Sequence, residues 1–483
     1  MLRAIRLSKV YQGRTLFEGA SFTLAAGDRV GLIGPNGSGK STLLRILAGS
    51  TEPDSGAVQV AGGAAIALAP AEGMTGPPGS GGERKRRLLS SILNGDADLI
   101  LLDEPTNDLD AAAIEWLEEA ITRHRAGFLI VSHDRRFLDS TTERTLEIDP
   151  VSRELAEYGG NYTWARRSKE RDIARQWRQY REHQRSVGRL EADVRTTKEQ
   201  ATGVENSTVN DFVRGRAKKV AAKAKARESR LRRMLAAENR VDKPRHREKM
   251  RLAFQGRDLH RSAILEVSGI KVARDAITVL DGIDLAVRAG DRIALAGPNG
   301  AGKTTLLEIL TGRLQPDSGH RRVRPDLRIG YLPQADALGV SPQADGRLPG
   351  GAIASGDVST TSRTVLDYIL RFLPPGSGLH QGDARTFLHR FLFTRDEVFK
   401  RMDELSGGER SRAILAGLML SEPDILVLDE PTNHLDLDTC ERLESALVGF
   451  QGAIVAVSHD RAFLDQLGPS VSLQLRAGRI ERD

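Results

Sequence analysis

Two glycine-rich segments combine residue types and spacing that suit phosphate binding. They are Gly34-Pro35-Asn36-Gly37-Ser38-Gly39-Lys40-Ser41-Thr42 and Gly297-Pro298-Asn299-Gly300-Ala301-Gly302-Lys303-Thr304-Thr305. Glycines let backbone N–H groups surround phosphates at the N-terminus of a helix. The lysine can neutralise the β- and γ-phosphates, and the Ser or Thr hydroxyl can ligate Mg²⁺. Each segment follows an apolar strand and precedes a helical run, so the sequence predicts two nucleoside triphosphate sites.

Two apolar runs end in paired carboxylates. Leu99-Ile100-Leu101-Leu102-Asp103 is followed by Glu104, and Ile425-Leu426-Val427-Leu428-Asp429 is followed by Glu430. Such runs are typical of buried parallel strands. The aspartate can join the Mg²⁺ shell, and the glutamate can orient and polarise an attacking water. We therefore predict a metal-binding role for each aspartate and a catalytic role for each glutamate. His133 and His459, each after a further apolar strand, are predicted to join the catalytic groups.

The motifs occur twice because the chain contains two homologous halves. The phosphate-binding segments repeat at a shorter offset, from Gly34 to Gly297. The carboxylate pairs repeat at a longer offset, from Asp103 to Asp429, and the two Ser-His-Asp-Arg segments share it. Ser80-Gly81-Gly82-Glu83-Arg84 recurs as Ser406-Gly407-Gly408-Glu409-Arg410, also at the longer offset. The two offsets differ by 63 residues, which the first half therefore lacks between Lys40 and Ser80.

Composition limits the class of protein. The 483 residues are 39% hydrophobic and contain one cysteine, Cys440, which excludes an intramolecular disulfide and any site with several thiolates. The sequence has no apolar run of about 18 residues and no apolar signal segment, so we expect a cytoplasmic protein without a membrane span. The net charge is +6, but residues 161–260 contain 28 Lys or Arg and 13 Asp or Glu. This basic middle segment predicts contact with a polyanion.

Both halves resemble nucleotide-binding domains of the ATP-binding cassette superfamily. The phosphate loop, the Ser-Gly-Gly-Glu-Arg signature, the carboxylate pair and the histidine appear in the family order. Two cassettes in one chain, with a charged linker of about 100 residues, resemble the ABC-F family of ribosome-associated ATPases. Asp-Glu-Pro-Thr-Asn-His-Leu-Asp at 429–436, Ser-His-Asp-Arg at 458–461 and Gly160-Asn161-Tyr162-Thr163 are similar to segments of that family.

The resemblance implies an α/β fold with two P-loop cassettes, at 1–158 and 261–483, joined by a helical antiparallel coiled-coil linker at 159–260. It also implies ATP and Mg²⁺ as cofactors, ATP hydrolysis, and a monomer whose two cassettes pair head to tail. Each ATP would then lie between the phosphate loop of one cassette and the signature of the other. The implied signature contacts are Ser80, Gly81, Gly82, Ser406, Gly407 and Gly408.

The two implied sites are unequal. Ile329-Gly330-Tyr331-Leu332-Pro333-Gln334 resembles the family loop whose glutamine contacts Mg²⁺ and water, but Ala71 stands at the matching position of the first half. The missing 63 residues correspond to almost all of the helical subdomain, and residues 72–79 are expected to form a Gly/Pro loop. We predict slower hydrolysis at the first site, because alanine cannot ligate a metal or hold a water. Tyr11 is a candidate for stacking on adenine, and the second half has no aromatic residue at 271–274.

The middle segment is predicted to form a helical hairpin. Ile173, Trp177, Tyr180, Val187 and Val194 form an incomplete coiled-coil seam, and residues 201–207 are expected to be the turn before a second helix at about 210–237. The first arm, about 38 residues, would reach roughly 57 Å. Cations that would contact RNA phosphates follow the turn; they are Arg214, Arg216, Lys218, Lys219 and Lys223. The resemblance implies action near the tRNA and peptidyl-transferase region of the ribosome, in contact with rRNA and tRNA.

Three functional classes compete. The first is an ABC-F ATPase on ribosomes, either an antibiotic-resistance protector, which we favour slightly, or a housekeeping translation factor. The second is the ATPase subunit of an exporter whose membrane domains are separate chains. The basic hairpin and the lost helical subdomain, on which transporter membrane domains dock, favour the first. The third, a DNA-repair ATPase or an iron–sulfur recycling ATPase, is excluded because the chain has a single cysteine.

Overall fold

The structure is a computed structural model. It describes residues 1–11, 13–71, 81–107, 109–205, 211–235, 243, 252, 254, 263–274, 277–334, 364–372, 381–433 and 435–482. The chain divides into two compact units, one formed by Met1–Thr163 with Glu248–Asp483 and the other by Trp164–Arg247. The larger unit contains two sheet-based halves, here called the first half and the second half.

Each half pairs a three-stranded antiparallel sheet with a six-stranded, mostly parallel sheet. In the first half the antiparallel sheet has the order β2-β1-β4 and the larger sheet the order β5-β6-β7-β3-β8-β9. The larger sheet is parallel except for β9. The strands of the first half are β1 Leu2–Tyr11, β2 Arg14–Leu24, β3 Arg29–Ile33, β4 Ser55–Val60, β5 Ile66–Ala69, β6 Leu99–Asp103, β7 Gly127–Val131, β8 Arg144–Ile148 and β9 Leu155–Gly159.

The second half repeats this topology strand for strand, with the orders β11-β10-β13 and β14-β15-β16-β12-β17-β18. This repetition confirms the two homologous α/β halves that the motif spacing predicts. The strands of the second half are β10 Ala263–Arg274, β11 Ile277–Arg288, β12 Arg292–Ala296, β13 Ser318–Val323, β14 Ile329–Leu332, β15 Ile425–Asp429, β16 Ala453–Val457, β17 Val471–Arg476 and β18 Arg479–Arg482.

Helices cover both faces of each parallel sheet. The helices of the first half are α1 Lys40–Leu47, α2 Gly81–Leu93, α3 Ala111–Arg123 and α4 Arg135–Thr141. One face of its sheet packs with α1 and the antiparallel sheet, and the other face packs with α2, α3 and α4. All five residues of β6 are buried, because apolar contacts lie above and below them. The apolar run that the sequence shows before Asp103 is therefore a central strand.

The second half has helices without a counterpart in the described residues of the first half. Its helices are α7 Lys303–Thr311, α8 Val365–Leu370, α9 Gln381–His389, α10 Gly407–Leu420, α11 Leu437–Val448 and α12 Arg461–Leu467. Between β14 and α10 the structure places α8 and α9, which pack with α10 in one apolar cluster. In the first half β5 and α2 are separated only by residues 70–80, which confirms the shortened subdomain. The predicted Gly/Pro loop at 72–79 lies outside the described residues.

The smaller unit contains α5 Tyr162–Glu205, apart from its first two residues, and α6 Asp211–Leu235. The helix α5 has 44 residues and spans about 66 Å at about 1.5 Å per residue. It continues through Glu205, so the prediction that the turn begins at residue 201 is wrong. A single glycine, Gly203, lowers helix stability by only about 1 kcal/mol and does not end the helix. Residues 206–210 lie outside the described part of the chain.

Two contacts show that the helical unit is antiparallel. Arg227 Nη1 donates to Thr197 Oγ1, and the Lys243 ammonium lies 5.9 Å from the centroid of the Trp177 ring. The partner of the earlier α5 residue, Trp177, is therefore the later residue, Lys243, as an antiparallel arrangement requires. Val187 and Val194 of the predicted seam are buried, whereas Ile173 is exposed. The predicted seam is therefore wrong at Ile173.

Candidate functional site

The two glycine-rich segments form matching loops, each between a central strand and a helix. Lys40 is the first residue of α1 and is buried; its Nζ donates to Gly34 O (2.8 Å) and Pro35 O (3.2 Å). Lys303 makes the same two contacts in the second half, with Gly297 O at 2.7 Å and Pro298 O at 2.9 Å. Each ammonium thus lies folded over its loop, at the positive end of a helix. Burial lowers the pKa of both lysines.

Glycine is required where each loop enters its helix. Gly39 has φ +93°, and an added Cβ would lie 2.9 Å from Leu16 Cβ. Gly302 has φ +96°, and an added Cβ would lie 2.9 Å from Val279 Cγ1. Both the left-handed backbone and the close approach exclude a larger side chain. The remaining predicted loop residues either precede these two glycines or lie in the first turn of the following helix; they are Asn36, Gly37, Ser38, Ser41, Thr42, Asn299, Gly300, Ala301, Thr304 and Thr305.

The two aspartates lie where a cation would be held. Asp103 ends β6 and hydrogen-bonds the Ser41 side chain, while Asp429 ends β15 and hydrogen-bonds the Thr304 side chain. Burial raises the pKa of Asp103, and it raises the pKa of Asp429 to about 6. Asp103 Oδ1 and Asp429 Oδ2 are buried and have no hydrogen-bond partner in the described part of the chain. A buried carboxylate oxygen beside a hydroxyl fits an oxygen-preferring cation such as Mg²⁺.

Each glutamate after the aspartate is held against the predicted histidine. Glu104 has φ +47°, donates its N–H to Val131 O at 2.9 Å, and accepts the His133 N–H at Oε2 (3.2 Å). His133 Nε2 lies 3.1 Å from Glu104 Oε1. Positive φ is rare for a residue with a Cβ and is common where a side chain must be aimed at a site. The structure therefore brings the two predicted catalytic residues of the first half together.

The second half repeats this pair at nearly the same geometry. Glu430 also has φ +47° and accepts the His459 N–H at 3.2 Å, while Nε2 lies 3.6 Å from Oε1. Burial raises the pKa of Glu430 to about 8 and lowers the pKa of His459 to about 4. The carboxyl therefore keeps its proton near neutral pH until a positive charge arrives beside it and lowers its pKa.

The two halves meet at their phosphate loops. The Asn36 N–H donates to Asp436 Oδ2 at 3.4 Å, although the two residues lie 400 positions apart. The charge of Asp436 also acts on Lys40, and the charge of Asp110 acts on Lys303 and His459. Asp110 and Asp436 correspond to each other at the longer offset and are the N-caps of α3 and α11. Each half thus presents a capping carboxylate to the phosphate loop of the other.

A small polar cavity lies between the halves. It is lined from both sides, by His133, Asp134 and Asn107 of the first half and by His459 and Asp460 of the second, together with Glu430. Charged pairs surround it: Arg135 Nη2 donates to Glu444 Oε1, and Arg461 Nη2 donates to Glu118 Oε1 at 2.7 Å. The predicted catalytic groups of the two halves therefore share one interface.

The signature residues of the second half begin a helix. Ser406 is the N-cap of α10; its hydroxyl accepts the Glu409 N–H, and the Glu409 carboxylate accepts the Ser406 N–H at 2.9 Å. Gly407 and Gly408 form the first turn. In the first half Gly81 and Gly82 begin α2, and Ser80 lies outside the described residues. The pairing of each signature with the opposite phosphate loop stays a prediction.

The remaining predicted residues lie at the edges of the site. Tyr11 ends β1 and is 62% exposed, so its ring is accessible to a base. Arg274 ends β10 and is the counterpart of Tyr11 at the shorter offset. Gln334 follows β14 and is partly buried, whereas Ala71 follows β5. The inequality of the two sites that this difference implies stays a prediction.

The predicted RNA-contacting residues lie on α6, far along the sequence from the phosphate loops. Lys219 and Lys223 have exposed side chains. Arg214, Arg216 and Lys218 belong to the same helix, but their side chains are outside what the structure describes. Further exposed cations on α6 are Lys225, Arg227, Arg230, Arg232 and Arg233.

Sequence reasoning missed several residues of the interface. Asp436, Glu444 and Lys85 had no predicted role, yet the first two contact the opposite half and Lys85 hydrogen-bonds the main chain of Glu104. The duplication could have indicated one set of these residues, because the arginine and the glutamate both recur at the longer offset, as Arg135 and Arg461 and as Glu118 and Glu444. Nothing in the sequence indicates that these partners are exchanged between halves.

Comparisons with known proteins agree with this geometry. The family model described as "ABC transporter" matches residues 17–76 and 280–433. The chain is 32% identical to the ATP-binding protein Uup of Caulobacter vibrioides, over 99% of this chain and 78% of that protein. It is 29% identical to the ribosome protection protein VmlR of Bacillus subtilis, over 94% of this chain and 83% of that protein.

A solved structure shares the fold at low identity. It is an archaeal ribosome recycling factor in complex with a ribosomal stalk protein, with a TM-score of 0.60 and 19% identity over 98% of this chain and 89% of that chain. The fold and the paired phosphate loops define a protein with tandem ATP-binding cassettes. This chain belongs to the ABC-F family of such proteins. Among the helices that the structure describes, none combines the length and apolar character that crossing a bilayer requires.

Proposed function

We propose that this protein hydrolyses ATP at two sites between its halves and uses the cycle to act on the ribosome. The observation that carries the proposal has two parts. A basic helical hairpin, α5 and α6, is inserted in the chain between the two halves, and the predicted catalytic residues of both halves line one shared interface. The functional division we propose is 1–158, 159–260 and 261–483, with the first and last parts as cassettes. The protein would act as a monomer in the cytoplasm, where its halves pair within one chain.

The predicted residues have distinct roles in hydrolysis. Lys40 and Lys303 neutralise the phosphates, while the loop N–H groups and the signature residues hold them from two sides. Glu104 and Glu430 orient the attacking water, and His133 and His459 hold those carboxylates in place. Ser41 with Asp103, and Thr304 with Asp429 and Gln334, would hold Mg²⁺. When bound, this ion neutralises charge on the phosphate oxygens.

The partner is inferred from the charge of the hairpin. Exposed lysines and arginines along α6 suit the phosphates of folded RNA, and the relative VmlR is named a ribosome protection protein. We propose that Arg214, Arg216, Lys218, Lys219 and Lys223 contact rRNA or tRNA near the peptidyl-transferase region. Displacement of an antibiotic from that region would then confer resistance.

Ribosome binding is tested by co-sedimentation of the Glu104→Gln/Glu430→Gln variant with ATP at increasing salt. We expect binding that weakens steeply with salt, and in Lys219→Gln/Lys223→Gln a salt slope smaller by about 2, at roughly one per lysine. The matched control is Arg3→Gln/Arg14→Gln, which removes two exposed charges from the first half. Salt-independent binding, or equal effects of the two pairs, contradicts the electrostatic role of the hairpin.

Two alternative functions predict different experimental results. A housekeeping translation factor of the same family would bind ribosomes equally but leave drug sensitivity unchanged. The ATPase subunit of an exporter would be extracted with membranes and not with ribosomes. Growth inhibition by macrolides, lincosamides and pleuromutilins, with and without the gene, tests the resistance role directly. Unchanged inhibition across the three classes favours the translation factor.

A further inference from the structure

A buried lysine lies against the proposed catalytic segment of the first half. Lys85, in α2, is 1% exposed, and its Nζ donates to the main-chain oxygen of Glu104 at 2.6 Å. The same Nζ lies 3.5 Å from the main-chain oxygen of Ala71. The ammonium therefore joins the strand end that holds the predicted catalytic carboxylate to the position where the first half lacks its glutamine.

Burial of an ammonium is unfavourable unless hydrogen bonds replace the water that solvated it. A charge-assisted bond to a carbonyl is among the stronger hydrogen bonds. Here it acts on a residue with φ +47°, whose N–H already donates to Val131 O at 2.9 Å. With both flanking peptides anchored, the Cα–Cβ direction of Glu104 is fixed toward His133.

The second half has different residues at the positions that correspond to Lys85 and Ala71. Ser411 is the counterpart of Lys85 at the longer offset, and its side chain is too short to make the same bond. Gln334 stands there where the first half has Ala71. The long cation and the missing glutamine thus occur in the same half, beside the same strand ends β5 and β6.

We propose that Lys85 is a positioning residue of the first site, which compensates for the absent glutamine by fixing the main chain of Glu104. The proposal rests on the ATPase function proposed above. It predicts that the first site hydrolyses ATP. It also predicts that loss of the Lys85 ammonium changes the rate of hydrolysis at this site strongly and the stability of the protein little. A purely structural lysine would affect folding and leave the chemical step unchanged.

The test measures single-turnover ATP hydrolysis with enzyme in excess, in a Glu430→Gln background that silences the second site. Lys85→Met keeps the length of the side chain and removes its charge. Arg87→Met on the same helix is the matched control, because Arg87 is exposed. We expect Lys85→Met to slow hydrolysis about tenfold or more, with the half-saturating ATP concentration and the melting temperature little changed. Arg87→Met should stay within about twofold of the background rate.

A second substitution distinguishes compensation from packing. Lys85→Met/Ala71→Gln restores the glutamine and should recover most of the lost rate. The proposal is overturned if Lys85→Met leaves the rate unchanged, if glutamine recovers none of the loss, or if the Glu430→Gln background shows no turnover with Lys85 intact. The proposed ATPase function fails on a separate observation, the absence of ATP hydrolysis by the unsubstituted protein.

Discussion

Arg135 of the first half donates a hydrogen bond from Nη2 to Glu444 Oε1 of the second. The counterparts of these two residues in the opposite halves are Arg461 and Glu118, which are joined by the same contact at 2.7 Å. The interface is therefore a pseudo-twofold exchange in which each half supplies one arginine and one carboxylate. The arginine directly follows the Ser-His-Asp segment in both halves, so each interfacial arginine lies two residues after a predicted catalytic histidine.

The Arg135–Glu444 pair is expected to be strongly coupled. The Glu444 side chain is 5% exposed, and loss of one partner leaves a buried charge, which typically costs about 3–5 kcal/mol. Arg135→Ala and Glu444→Ala should each lower the unfolding free energy and ATP-dependent closure, and the double variant should cost much less than the sum. A double-mutant cycle by thermal or denaturant unfolding measures this coupling.

The exposed Arg123–Glu119 pair is the control for that cycle. Its side chains are 80% and 66% exposed, so its coupling should be about 0–1 kcal/mol. Equal coupling in the two pairs would show that the interfacial pair is no more than a surface contact.

Turnover should be divided unequally between the two sites. Glu430→Gln removes the proposed catalytic carboxylate from the site that keeps Gln334, and Glu104→Gln removes its counterpart from the site that has Ala71. We expect Glu430→Gln to cause the larger loss of steady-state ATPase activity, because the second site has the full set of polar groups. Activities of the two single variants and the double variant measure this division. Equal losses from the single variants are the contrary result.

Tyr162, which belongs to the larger unit, is expected to hold the start of α5 against the second half. It is the first residue of α5, is 4% exposed, and donates its hydroxyl to Glu441 Oε1 at 3.1 Å. Tyr162→Phe should cost about 1 kcal/mol of stability, since it removes one hydrogen bond. Because the hydroxyl bond holds the start of α5, we also expect ribosome binding by the Tyr162→Phe variant to depend less on ATP than binding by the parent. Co-sedimentation with and without ATP measures this, and Tyr180→Phe, further along α5, should leave it unchanged.

Stability should fall as the pH rises from about 4 to 6 because of Asp134. Burial raises the pKa of Asp134 to about 6, against the opposing bond from the Phe137 N–H. In this window the folded protein holds a proton that the unfolded chain has released, so raising the pH favours unfolding. The shift in pKa corresponds to a loss on the order of 2–3 kcal/mol in the free energy of unfolding above pH 6, relative to pH 4 and below.

The substitution Asp134→Asn removes the titration and keeps a side chain able to cap α4. Melting temperatures of this variant and the parent should therefore converge near pH 4 and separate by pH 7, with the variant the more stable. Asp96→Asn, at an exposed position, is the control. Parallel pH profiles for the parent and Asp134→Asn would contradict the assignment.

The sequence by itself determined the local features of this protein. Gly39 and Gly302 indicated loops that curl around phosphate, because only glycine fits their backbone, and the apolar runs before Asp103 and Asp429 indicated central strands. The shift between the two offsets located the shortened subdomain, and the two helical runs of the middle segment, with a break between them, indicated the hairpin. These features depend on neighbours in the chain, whose spacing the sequence shows directly.

The tertiary structure alone decided which distant groups meet. Asp436 reaches Asn36 across 400 positions, Arg135 pairs with Glu444 rather than with Glu118 of its own half, and Lys85 supports Glu104 beneath the sheet. Such contacts depend on how the halves pack, which no local spacing records. The exposure of Ile173, in contrast to the buried Val187 and Val194, is likewise a property that the spacing of the predicted seam does not reveal.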